Sequence, residues 1–129
     1  MSDFKKLIVW RKAHALALKV HRVAVGIRGS DYSALRSQIL RAAMSVPTNI
    51  VESSGQKTGP EFGRFIRIAI NSAAELEYHL MVLHEVGVIG EPDFESLTAQ
   101  AIEVRKMLYG LLNRVMTPGR TPPSKVTAS

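Results

Sequence analysis

Near the start of the chain, apolar residues recur at Val9, Ala13, Leu16, Val20, Val23 and Ile27, in steps of four and three. That rhythm is the buried face of a bundle helix. Leu35, Ile39, Ala42, Val46 and Ile50 keep nearly the same beat. Two longer runs follow: Phe62, Phe65, Ala69, Ser72, Leu76, His79 and Leu83, then Phe94, Leu97, Ala101, Val104, Leu108, Leu111 and Val115. Almost nothing reads as strand. The pattern predicts an all-α protein, an up-and-down four-helix bundle with short loops over residues 1–116.

The punctuation between the runs agrees. Gly29-Ser30-Asp31 separates the first helix from the second, and Gly55–Gly59 the second from the third. Thr58 with Glu61 three residues on fits a capping box. Gly87 and Gly90 close the third helix, and Pro92 falls in the first turn of the fourth, where a missing N–H costs nothing. Pro47 breaks the rule: inside the second helix it should remove a backbone bond and bend the axis. Residues 117–129, with three prolines and no periodicity, are expected to be a disordered tail.

Apolar residues also occur away from these faces. Ile70, Ala74, Tyr78 and Met81 lie roughly opposite the core stripe of the third helix at 100° per residue. Ile102, Tyr109 and Met116 recur every seven residues on the fourth. On the first, Leu18 and Val25 oppose Val9, and Trp10 lines a flank with Ala17 and Ala24. Isolated exposed apolar residues are ordinary, but repeated stripes more often mark a second buried face. A homo-oligomer using Trp10, Leu18, Val25, Ile70, Ala74, Tyr78, Met81, Ile102 and Tyr109 is expected; the alternative is a monomer with an apolar surface.

The second helix carries a polar stripe as well: Gln38, Arg41, Ser45, Asn49 and Glu52. Ser72, Glu75 and His79 face it from the third. If the hairpin turns about Gln56–Lys57, residues at one level sum to about 113, taking equal rise on both sides. Arg41 then lies by Ser72 and Glu75, and Ser45 by Ile68. An Arg41–Glu75 ion pair with Gln38 and Asn49 beside it would form a semi-buried seam that fixes register.

Composition narrows the class. The 129 residues include 17 Lys+Arg, 11 Asp+Glu and no Cys, so disulfides, thiol nucleophiles and Cys-ligated metals are excluded. The charge is split: residues 1–51 hold nine Lys/Arg against Asp3 and Asp31, whereas residues 71–103 hold seven acids and no Lys or Arg. A basic half points to an anionic partner, and opposed halves also suit self-association. The apolar run Leu7–Trp10 is too short for a signal or spanning segment, so a cytoplasmic protein without membrane contact is expected.

The stretch Gln38-Ile39-Leu40-Arg41-Ala42-Ala43-Met44-Ser45-Val46-Pro47-Thr48-Asn49-Ile50-Val51-Glu52 closely resembles the signature of four-helix-bundle proteins encoded in 23S rRNA intervening sequences. Phe4, Leu7, Val9, Trp10, Lys12 and Ala13 before it match too, as do Glu61-Phe62, Phe65-Ile66, Ile68-Ala69, Ser72 and Glu75-Leu76-Glu77 after it. One departure is the turn after Glu52, where the family has Gly and a basic pair and this chain has Ser53-Ser54-Gly55-Gln56-Lys57. The resemblance implies a bundle assembling as a ring, commonly a pentamer. It also implies distant kinship with accessory variability proteins of diversity-generating retroelements, basic pentamers associated with nucleic acid and a reverse transcriptase.

Enzyme chemistry finds little purchase. A di-iron bundle needs Glu-x-x-His, but three residues after Glu75 comes Tyr78 and three after Glu77 comes Leu80. There is no His-Glu-x-x-His and no phosphate-binding glycine loop. His14 and His21 share one flank of the first helix without further ligands in reach, so no metal or cofactor is expected. Nucleic-acid binding is better served: Lys5, Lys12 and Lys19 repeat every seven residues, Arg11 and Arg22 extend that side, and Arg36, Arg64 and Arg67 add charge. We expect Lys12, Lys19, Arg22, Arg36, Arg64 and Arg67 to contact RNA or DNA phosphates. The eight aromatic residues mostly take core positions, which argues against a base-stacking platform. A scaffold for a protein partner, its basic residues serving assembly, is the alternative.

Overall fold

The structure is a computed structural model and describes residues 3–116. Helices form where the periodicity predicts them: α1 at Ile8–Val25, α2 at Ser33–Ser54, α3 at Gly59–Glu85 and α4 at Glu91–Met116. Single 3-10 turns, Phe4–Lys6 and Ser30–Tyr32, lead into α1 and α2. Each helix packs on its sequence neighbours and α1 closes the circuit against α4, which is the up-and-down arrangement that short loops enforce. The expected tail at 117–129 lies outside the described residues.

Leu16, Ile39, Phe62, Ile66, Leu76 and Leu108 are among the fully buried side chains, and all four helices contribute to one core. Ala17 and Ala24, placed by the sequence on an outer flank, are buried. Trp10 is half-buried and packs against the core beside them. The α1 face is therefore wider than a strict four-three stripe, as a helix with two packing neighbours requires. Ile70 is likewise 4% exposed and leaves the outer stripe of α3 for the core.

The helix ends follow the local chemistry. Glu61 N–H donates to Thr58 Oγ1 at 3.2 Å, the first half of the capping box; the Glu61 carboxylate turns instead to Arg64. At the other end of α3, Gly87 takes φ 82°, Val88 N–H reaches Leu83 O at 3.0 Å and Gly87 N–H reaches His84 O at 3.1 Å, a Schellman stop. Gly90 begins α4 rather than ending α3, since Phe94 N–H donates to its carbonyl. The helix α2 runs through buried Pro47 unbroken. Tertiary packing on both flanks holds that helix despite the missing bond.

The α2–α3 register differs from the sequence expectation. Ser45 Oγ lies 2.7 Å from Ser72 Oγ, so levels sum to 117 rather than 113 and Ser45 meets Ser72, not Ile68. The cause is an asymmetric turn. Gly55 keeps near-helical φ −90°, ψ −1°, whereas Thr58 is extended at φ −117°, ψ 154°. Extended residues advance about twice as far as helical ones, which displaces the crossover toward α3.

Candidate functional site

The polar stripes of α2 and α3 meet in an open groove of about 450 Å³ lined by Gln38, Arg41, Ala42, Ser45, Glu75 and His79. Ser45, in its lining, belongs to a hydrogen-bonded chain. Asn49 Nδ2 donates to Ser45 O at 2.8 Å and to Ser45 Oγ at 3.0 Å, and the Ser45 and Ser72 hydroxyls complete the chain. Arg41 and Glu75 line the same groove, but the expected ion pair between them is absent among the described residues. Both are exposed and solvated, so neither has to find the other. Glu52 is also exposed, at the end of the stripe.

The ion pair that does join two helices at part-buried positions is elsewhere. Arg105 of α4 donates from Nε and Nη2 to the two carboxylate oxygens of Glu77 on α3, at 2.5 and 3.3 Å. Hydrogen bonding to Glu77 holds the Arg105 guanidinium pKa above its ordinary value against the opposing cost of burial. The sequence gives no sign of it, because the partners are 28 residues apart and meet only through the α3–α4 register.

The six residues expected to contact phosphate fall into distinct settings. Arg36 is half-buried and donates from Nη1 to Ile27 O at 2.9 Å and Gly29 O at 3.0 Å, tying down the α1–α2 turn. Arg64 pairs with Glu61 and sits 4.3 Å over the Phe65 ring. Lys12 reaches Glu103 at 3.1 Å and Lys19 reaches Gln100 at 3.1 Å, both at the exposed α1–α4 edge. Arg22 and Arg67 are exposed and make no hydrogen bond or ion pair with another described residue. Arg11 and Arg22 face solvent on α1, a helix without a single acid.

The remaining stripes gather on α3 and α4. Tyr78, Met81 and Tyr109 are 57%, 41% and 47% exposed, Ala74 is exposed and Ile102 half-buried. Tyr109 reaches α3 in a shallow pocket shared with Arg67, Ile70 and Asn71. Leu18 and Val25 are exposed on α1, on a different side of the bundle.

At the α3–α4 turn, His84 Nε2 lies 2.8 Å from Glu91 Oε1 and its ring stacks on Phe94 at 4.2 Å. Glu95 hydrogen-bonds Glu91, which pushes the Glu95 carboxyl pKa up; the same bond, helped by His84, pulls Glu91 down. No group of three or more metal-ligating side chains occurs among the described residues. No helix among them is long and apolar enough to cross a membrane.

The aromatic side chains depart most from expectation. Phe62 alone is buried; Phe4, Trp10, Tyr32, Phe65 and Phe94 are half-buried, and Tyr78 and Tyr109 are exposed. Trp10 and His14, four residues apart on α1, stack at 4.8 Å with planes 7° apart. Their spacing was the available signal, since residues i and i+4 share a helix face.

A circuit of four antiparallel helices with a hydroxyl–amide seam between the second and third defines the class: a small up-and-down four-helix bundle. The chain belongs to the 23S rRNA-intervening sequence protein family, whose model matches residues 5–110. A solved structure similar to it is a protein with unknown function from the S23 ribosomal protein family of Bacteroides thetaiotaomicron. The two are 24% identical with a TM-score of 0.77, covering 81% of this chain and 98% of that one. At that identity the likeness speaks for the fold. Comparison with curated proteins returned no match.

Proposed function

We propose that this protein is a non-catalytic, self-assembling bundle that holds RNA or DNA through phosphate contacts from α1. The outer face of α1 carries this reading: Arg11, Lys12, Lys19 and Arg22 are exposed along about 17 Å of a helix that contains no acid. Arrays of that kind bind phosphate with little sequence preference and release it as salt rises. Arg36 and Arg64 drop out of the contact set because each is engaged within the chain. Lys12 and Lys19 stay in it, since their exposed partners can be exchanged for phosphate at little cost. Self-association draws on Tyr78, Met81 and Tyr109, and a pentameric ring would repeat the basic face five times.

A filter-binding salt titration tests the reading. Binding to RNA or DNA at low salt should weaken steeply as salt rises, and Lys12→Ala/Lys19→Ala/Arg22→Ala should bind less while keeping the oligomer seen by light scattering. Absence of binding at low salt to any nucleic acid overturns it. The second reading is a protein scaffold, for which the resemblance to accessory variability proteins points to a reverse transcriptase as the partner. It is favoured by the Lys12–Glu103 bond, in which a basic residue already serves packing. Under it, the triple variant changes assembly and nothing else.

A further inference from the structure

We propose that Trp10 and His14 form a stacking platform for the bases of single-stranded nucleic acid. This rests on the nucleic-acid reading above and adds the strand form that is selected. Trp10 is fixed on three sides: the core behind it, the Phe4 ring edge-on at 4.9 Å, and His14 face-on at 4.8 Å. His14 is exposed, so the imidazole presents solvent with an aromatic surface whose orientation is already set. Little ordering cost is then left for a base that adds to the stack.

The charge around the stack separates it from Tyr78, the most exposed ring. From Phe4 through Val25 there is no acid, and Lys5, Lys6 and Arg11 flank the stack in the chain; the nearest acid in sequence, Asp3, caps the first turn. Arg11 donates from Nε to Lys5 O at 2.9 Å, which anchors the guanidinium and leaves its Nη atoms unbonded to any other described residue. Tyr78, by contrast, shares α3 with Glu75 and Glu77, where phosphate is repelled. Aromatic surfaces interleaved with basic side chains bind single strands, whose unpaired bases can stack outward; the bases of a duplex are already stacked on one another.

The chain has one tryptophan, so its emission reports on the platform directly. The full-length protein is titrated with a labelled oligothymidylate of about 20 nucleotides and with a duplex of the same length, following probe anisotropy and Trp10 emission. The single strand should bind at least about fivefold tighter and change the emission, as expected for one stacked base. His14→Leu covers the Trp10 face without offering a planar surface and should abolish the preference while leaving duplex affinity and the urea midpoint unchanged; His14→Phe should retain it. Equal affinities, or a His14→Leu protein with the preference intact, overturn the platform and leave the phosphate reading standing. Failure to bind either probe at low salt overturns both.

Discussion

The Ser45 and Ser72 hydroxyls lie 2.7 Å apart, each on the polar edge of its helix, and Asn49 donates to Ser45 from one turn further along α2. Removing Ser45 leaves the buried Ser72 hydroxyl without its partner, whereas removing Ser72 leaves Ser45 its bond from Asn49. Ser45→Ala should therefore cost about 1–2 kcal/mol, the penalty of an unsatisfied polar group. The Ser45→Ala/Ser72→Ala pair should cost clearly less than the two singles together, because the second removal takes away the orphan that the first created. Urea unfolding of the four proteins measures the coupling; strict additivity would mean the contact does not hold the register.

The same contact marks the limit of what was legible in the chain. Helix number, order and most of the core follow from a spacing of three and four, because burial imposes that period on each helix separately. Register between helices is different. It depended on how far Gly55 through Thr58 advance, and an extended Thr58 shifted every expected α2–α3 level by four. Arg41 and Glu75 share one groove, and the shift brings them nearly level, yet both are exposed and no ion pair joins them. Ile70 departs for another reason: a helix with neighbours on both sides buries more than one stripe, and periodicity alone does not say which flank is covered.

Glu77 and Arg105 join α3 to α4 at positions where less than a third of either side chain is exposed. Glu77→Leu strands the guanidinium and should destabilise by about 1.5–3 kcal/mol. Glu77→Leu/Arg105→Met should recover a large part of that loss, since a half-buried pair replaced by apolar groups of similar size leaves no uncompensated charge. Thermal or urea denaturation separates the cases, and a double variant as unstable as the single would show that the pair itself contributes the stability.

Glu91 and Glu95 are shifted in opposite directions. Glu95, raised by its bond to Glu91, favours the protonated form; its contribution is present at low pH and is lost as pH rises through the raised value. Glu91, lowered by Glu95 and His84, contributes above the ordinary glutamate range and loses that contribution as pH falls through the lowered value. The carboxyl–carboxylate bond is therefore strongest between the two titrations. Carboxyl carbon NMR should find Glu91 titrating below Glu95, and Glu95→Ala should move Glu91 back upward. An unchanged Glu91 curve in that variant rejects the arrangement.

Arg36 and Arg22 are both arginines of the basic half, yet their surroundings assign them opposite effects. Arg36 bonds two carbonyls of the α1–α2 turn, one of them at Gly29 with φ 101°, whereas Arg22 is exposed on the acid-free face of α1. Arg36→Ala should lower stability by about 1–2 kcal/mol through two lost charge-assisted bonds, leaving the salt dependence of nucleic-acid binding unchanged. Arg22→Ala should leave the unfolding midpoint within about 0.5 kcal/mol of the parent and reduce the salt slope by about one counterion. Both quantities come from one purified set, by urea unfolding and by binding at several salt concentrations. If the two variants changed the salt slope equally, the turn arginine would have to be counted with the phosphate-binding residues, and the division of the basic charge between fold and ligand would fail.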